Sequence, residues 1–184
     1  MAVDTLRKIP MNELIECIRT AFRDVPCPAE DRLTDSRGDE PDALVEDFRG
    51  RSDWTALEPE FLNQAPAGWG SALSFFSAEA LRFYLPAYLI ADIEGTLVTC
   101  DPVTRLCAFV TPLMEDRKLA KVYGGGTLGE HARADFALFS RAQVGAIVAY
   151  LWWKLDAGGY NPTIEQALEH YWLERERHEA MQRE

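Results

Sequence analysis

Residues 74–92 read SFFSAEALRFYLPAYLIAD, apolar around most of a helix, with a proline inside and one charged pair, Glu79 and Arg82. Leu81, Tyr84, Leu85, Tyr88 and Leu89 share one face at helical spacing, and Phe83, Ala87 and Ile90 fill much of the other. A helix apolar on most sides is stable in water only when covered on most sides, so this segment locates the core. The expected class is mainly α: a compact single-domain helical fold over residues 1–184. Ser77 is a suitable N-cap, Glu79 stands in the first turn where the helix dipole favours negative charge, and Gly95 supplies a stop. Pro86 removes a backbone donor and strands the carbonyl of Arg82, which predicts a kink.

Other helices are marked by the same signals. Asn12 is the expected cap of a helix to Asp24, with Leu14, Ile15, Ile18 and Phe22 on one face and Pro26 and Pro28 beyond its end. Residues 29–42 read as an exposed acidic loop, at whose end Pro41 stands at N1 of a short helix carrying Leu44, Val45 and Phe48, closed by Gly50. Trp54, Leu57, Phe61 and Leu62 form another helical face, and Pro66 and Gly68 break the chain before Trp69. Ser140-x-x-Gln143 has capping-box form and starts a stripe of Val144, Ile147, Val148, Leu151, Trp152 and Leu155 that Gly158 and Gly159 end. Asn161-Pro162 opens a charged C-terminal helix, about 162–184, whose end beyond Leu173 is expected to project into solvent. β-branched residues leave open a short β-hairpin near 96–111, turning at Asp101-Pro102. The polar, glycine-rich stretch 114–134 reads as a mobile loop.

Net charge is −11, from thirty acids against nineteen bases. A polyanionic duplex is repelled by such a surface, so nucleic acid is disfavoured as a partner. No apolar run has the roughly 18 residues of a membrane span. The first residues lack the apolar core of a signal peptide, and the expectation is a cytoplasmic protein whose cysteines (Cys17, Cys27, Cys100 and Cys107) are thiols. A Cys100–Cys107 disulfide is conceivable only after export.

Motifs for chemistry are missing or mismatched. Gly124-Gly125-Gly126-Thr127 lacks the lysine that a phosphate-binding loop places before its hydroxyl residue, and Lys121 precedes the glycines instead. His170, Glu174 and His178 share a helix face at metal-ligand spacing, but lie among charged neighbours that explain them as solvated. No serine stands in a nucleophile elbow and no cysteine pair has zinc spacing. Catalytic residues, metal and cofactor are therefore all assigned as none.

Two clusters stand out. Asp35, Asp39, Glu40, Asp42, Glu46 and Asp47 crowd a short stretch opposed by few bases; they are either a solvated face or a docking patch for a basic protein partner. Arg82 is expected beside Glu79, as an internal ion pair or as the base of an anion pocket with Tyr84 and Tyr88.

The order of motifs resembles an uncharacterised family of small bacterial proteins, a domain of unknown function. Ile18, Ala21 and Phe22 match its first helix; Asp53, Trp54 and Leu57 its tryptophan segment. Phe76, Ser77, Glu79, Arg82, Phe83, Tyr84, Leu85, Pro86 and Ala87 match its central helix, and Phe139, Ser140 and Gln143 its late helix. Ala78 departs where a proline is common. The resemblance implies fold boundaries and no activity.

Together these features point to a non-enzymatic protein that docks a basic partner through acidic surface, with a toxin-neutralising immunity protein as one form. The alternatives are a small-ligand binder or enzyme using an anion pocket at Arg82, and a scaffold or oligomer subunit joined through the last helix.

Overall fold

The computed structural model describes residues 9–64, 72–120 and 124–181, with backbone alone over 178–181. The expected break at Pro66, Gly68 and Trp69 lies outside the described residues. The α-helices are α1 Met11–Phe22, α2 Asp39–Phe48, α3 Pro59–Leu62, α4 Ala78–Ile93, α5 Pro102–Cys107, α6 Leu128–Phe136, α7 Arg141–Gly158, α8 Pro162–Ala167 and α9 Leu173–Met181. Single 3₁₀ turns lie between several of them, and α8 passes into α9 through a π-helical segment, Leu168–Trp172. Among the described residues no sheet forms; an isolated antiparallel bridge joins Lys118 to Thr127. The fold is mainly helical, as the periodicity predicts. The chain divides into two compact units, a middle unit of Phe22–Pro102 and a terminal unit of Met1–Ala21 with Val103–Glu184.

Helix α4 organises the middle unit. Leu81, Leu85 and Leu89 are fully buried, and Tyr84 and Tyr88 are 1% exposed. Each large apolar side chain removed from water stabilises the fold by roughly 1.5–3 kcal/mol, so this helix dominates the hydrophobic free energy of its unit. The Ser77 hydroxyl accepts from the Ala80 N–H at 3.2 Å, the expected N-cap. That hydroxyl also donates to the Arg32 carbonyl at 2.5 Å, and the Ser77 N–H donates to the Leu33 carbonyl at 3.0 Å. The start of α4 thereby ties down the 3₁₀ turn Glu30–Arg32. The helix continues through Pro86. Its far end closes as a Schellman motif, with Gly95 N–H to Asp92 C=O at 3.1 Å and Thr96 N–H to Ala91 C=O at 2.9 Å.

Several boundaries differ from expectation. Helix α2 begins at Asp39, so Pro41 occupies N3 rather than N1; no intrahelical donor is lost there, because the first-turn N–H groups have no partner inside the helix. The face expected from Trp54 to Leu62 is split. Trp54 lies in a 3₁₀ turn, Glu58 is extended (ψ 149°) and α3 restarts at Pro59, because a residue before proline is driven out of the α region.

No hairpin forms near 96–111. The Asn63 amide donates to the Thr96 carbonyl at 2.8 Å and accepts from the Val98 N–H at 2.7 Å, taking the backbone groups a partner strand would need. The second stretch is helical instead. Val103, Leu106, Cys107 and Val110 are all buried, at the three-and-four spacing of a helix that Pro102 starts.

In the terminal unit, α1 starts one residue before Asn12. The Leu14 N–H donates to the Pro10 carbonyl at 3.0 Å, so Asn12 is exposed in the first turn and does not cap. The helix ends at Phe22, two residues short of the expected Asp24. Residues 128–136 are helical rather than loop. Thr127 and Glu130 form a reciprocal capping box, with Glu130 N–H to Thr127 Oγ1 at 3.1 Å and Thr127 N–H to Glu130 Oε2 at 2.8 Å. Gly129 is needed there, since a Cβ would lie 2.9 Å from the Glu115 carbonyl oxygen that its own N–H contacts.

The Ser140–Gln143 capping box and the Asn161 cap with Pro162 at N1 are present as expected. Gln143 does more than cap: its amide donates to the Ala21 carbonyl at 3.2 Å. The C-terminal helix does not project freely from Leu173. Arg175 donates to the carbonyls of Phe136, Ala137 and Phe139, in the turn that follows α6, and to the Tyr171 hydroxyl.

Candidate docking surface and its pocket

Helix α2 buries Pro41, Leu44 and Phe48, one face at spacings of three and four. The acids take the rest of its circumference. Asp39, Asp42, Glu46 and Asp47 are exposed, Glu40 is half-buried, and Asp35 is exposed in the preceding loop. Asp39, Glu40 and Asp42 stand in the first turn, where the helix dipole favours them. Glu46 is held by a forked pair of bonds from Arg49 at 3.0 and 2.8 Å. Asp35, Asp39, Glu40, Asp42 and Asp47 make no ion pair among the described residues.

Arg49 links this face to a second feature. Its Nε lies 3.5 Å from Glu30, which lines a half-open pocket of about 220 Å³. The pocket wall comes from three separate stretches: Cys27 and Leu33 before α2, Phe48 at the end of α2 with Arg51 and Ser52 beyond it, and Tyr84 from α4. Tyr84 is fixed from both sides. Its hydroxyl donates to the Arg51 carbonyl at 2.7 Å, and its ring packs on Phe48 at 4.8 Å and stacks on Phe76 at 5.1 Å. The Arg51 guanidinium lies over the Phe61 ring at 4.1 Å.

Two titratable side chains of the pocket wall, Tyr84 and Cys27, lie against each other. Burial, with the neighbouring Cys27 adding to it, pushes the Tyr84 hydroxyl far above its ordinary range. Burial also raises the Cys27 thiol, only partly opposed by its contact with Tyr84, although its surface stays accessible. A raised thiol is a weak nucleophile at neutral pH, since the thiolate is the reactive form. Both groups stay protonated, and both donate to backbone carbonyls, the Tyr84 hydroxyl to Arg51 and the Cys27 thiol to Pro28.

The residues expected around Arg82 are distributed differently. Glu79 pairs with Arg32 at 2.7 Å rather than with Arg82, and the Arg32 guanidinium holds the Glu79 carboxyl below its ordinary value. Arg82 is half-buried and Tyr88 is buried; neither lines the pocket that Tyr84 does. Burial raises the Tyr88 hydroxyl strongly as well.

Among the described residues no group of three or more His, Cys, Asp or Glu could hold a metal ion. His170 lies in the π-helical segment, the His178 side chain is outside the described residues, and His131 contacts the Gly125 carbonyl at 2.8 Å. Lys121 is outside the described residues too. No described helix is long and apolar enough to cross a membrane.

Cys27, Arg51 and Ser52 were not expected at a site. Nothing local marks them, because the pocket exists only once residues far apart in the chain are folded together. The acidic residues, by contrast, are legible from composition alone.

No match was found among curated proteins or among solved structures. A family model matches residues 10–176, nearly the whole chain, in agreement with the resemblance carried by its motifs. The chain belongs to this family of unknown function, DUF6714.

Proposed function

We propose that this chain is a non-enzymatic binding protein that docks a basic protein partner through the acidic face of α2 and the loop before it. One concrete form of this is an immunity protein of the bacterial cytoplasm that neutralises a basic toxin. The observation that carries this reading is that five exposed or half-buried acids within residues 35–47 have no ion pair among the described residues. A face of uncompensated negative charge steers a positive partner and speeds its encounter, an effect that salt screens over about 10 Å at 0.1 M.

The test is a triple variant, Asp35→Lys with Asp42→Lys and Asp47→Lys. Protein of each type is immobilised and exposed to lysate of the source cells at low and at high salt. The wild type captures a basic protein that high salt releases, and the variant loses it. Recovery of the same proteins by both, with the same salt response, overturns the reading.

A further inference from the structure

We propose that the pocket beside α2 is an anchor site for one large apolar or aromatic side chain of the basic partner. This rests on the proposed acidic docking face and specifies what docks there: a basic segment with a single bulky apolar residue among its lysines and arginines.

Size decides the kind of occupant. At about 220 Å³ the pocket is smaller than the roughly 300–1,000 Å³ of small-molecule sites, and it is half-open. It suits one side chain better than a metabolite. The wall supports the same occupant. Leu33, Phe48 and Tyr84 give an apolar floor, with the Cys27 thiol and Ser52 hydroxyl at its edge. Leu33 is 2% and Phe48 4% exposed, so this floor is rigid core rather than mobile surface. Anchor residues seat in such preformed places and carry most of the binding energy of an interface.

Charge decides what surrounds that side chain. Phe48 is the last residue of α2, so pocket and acids belong to one element. Glu30 on the pocket wall and Glu46 on α2 share Arg49, so the acids of α2 without an ion pair begin beyond this triad, at Asp39, Glu40, Asp42 and Asp47. Two bases stand by the pocket: Arg49 is held between Glu30 and Glu46, and the Arg51 guanidinium lies over Phe61. A basic segment thus meets acids on the α2 side, and its apolar residue fills the hollow.

The experiment uses two synthetic basic heptapeptides of lysine and arginine, one with a central tryptophan and one with alanine in its place. Affinities are measured by titration calorimetry at low salt. The tryptophan peptide should bind at least tenfold tighter to the wild type. Ser52→Phe, which fills the pocket, should remove that advantage and leave the alanine peptide unchanged; Ala29→Phe fills it from another side should the first variant fold poorly. The triple lysine variant should weaken both peptides. Equal affinity of the two peptides for the wild type, or a tryptophan advantage that survives both filling variants, overturns the anchor pocket while leaving the acidic face standing. Peptide binding that the lysine variant does not weaken overturns the acidic face itself, and the pocket proposal with it.

Discussion

Helices α2 and α9 are both dense in charge, and the fold treats them in opposite ways. On α2 the acids stay in water, and five of those in and before it have no ion pair among the described residues. On α9, Arg175 is drawn down onto the carbonyls that close α6, and Glu176 is half-buried. Composition alone makes both stretches look solvated. The neighbourhood separates them: the turn after α6 offers carbonyl acceptors to a guanidinium, whereas among the described residues Arg49 holds Glu46 and no base pairs with the other acids of α2. Charge left unsatisfied within a chain is available to a partner, and charge consumed at a helix end is not.

The largest expected effect breaks the α9 side of this contrast. Arg175→Ala leaves the carbonyls of Phe136, Ala137 and Phe139 without their shared donor. Hydrogen bonds to a charged group contribute about 1.5–3 kcal/mol, so a loss of about 3 kcal/mol is expected. At about 2–4 °C per kcal/mol for a chain of this size, the melting temperature should fall by about 6–12 °C. A fall under about 1 °C would return α9 to the solvated class.

The α2 side should be nearly silent in the same measurement. Lysine at Asp42 sacrifices a favourable charge in the first turn, and lysine at Asp47 gains one in the last, where no base now stands. Surface changes of this kind stay within about 0.5 kcal/mol. A larger destabilisation of the triple lysine variant by urea would mean that the acids serve the fold rather than a partner.

The smallest effect lies in pH dependence and distinguishes two glutamates by sign. Burial raises the Glu176 carboxyl above its ordinary 4.5, with Arg141 opposing. Its contribution is fully present below the unfolded value and is lost as pH rises through the folded one. Glu79 is lowered by Arg32, so its contribution is present above the unfolded value and lost as pH falls through the folded one. Across pH 3 to 7, Glu176→Gln should therefore gain on the wild type as pH rises above about 4.5, and Glu79→Gln should fall behind it as pH rises towards about 4.5. Urea midpoints across that range check both, and shifts of the same sign would refute the assignment.

Much of the architecture was readable from residues. Ser77, the Ser140–Gln143 pair and Asn161-Pro162 all start helices where their chemistry says, because caps act over three or four residues and need no tertiary context. Two further local signals lay in the chain but were masked by composition. Thr127-x-x-Glu130 is a capping box inside a glycine-rich stretch, and the helical spacing of Val103, Leu106, Cys107 and Val110 competes with β-branched propensity, which is the weaker determinant. The partner of Glu79 was not readable at all. Arg82 is its neighbour by helical spacing, yet Arg32, far away in sequence, is brought to it by the bonds of Ser77. The pocket was hidden for the same reason: its walls meet only through folding.

The π-helical segment Leu168–Trp172 has a consequence for how this chain tolerates change in length. A widened turn accommodates one residue more than an α-helical turn, and each residue rotates the remainder of the helix by about 100°. Trp172, whose indole N–H reaches the Leu106 carbonyl at 3.0 Å, closes the widened stretch, and Arg175 lies just beyond it. Loss of a single codon inside the widened stretch would close it to an ordinary α-helical turn and keep Arg175 facing its acceptors, whereas the same loss between Trp172 and Arg175 would turn Arg175 away from them by that angle. The widened turn is thus the place where the last helix can shed a residue and keep its lock.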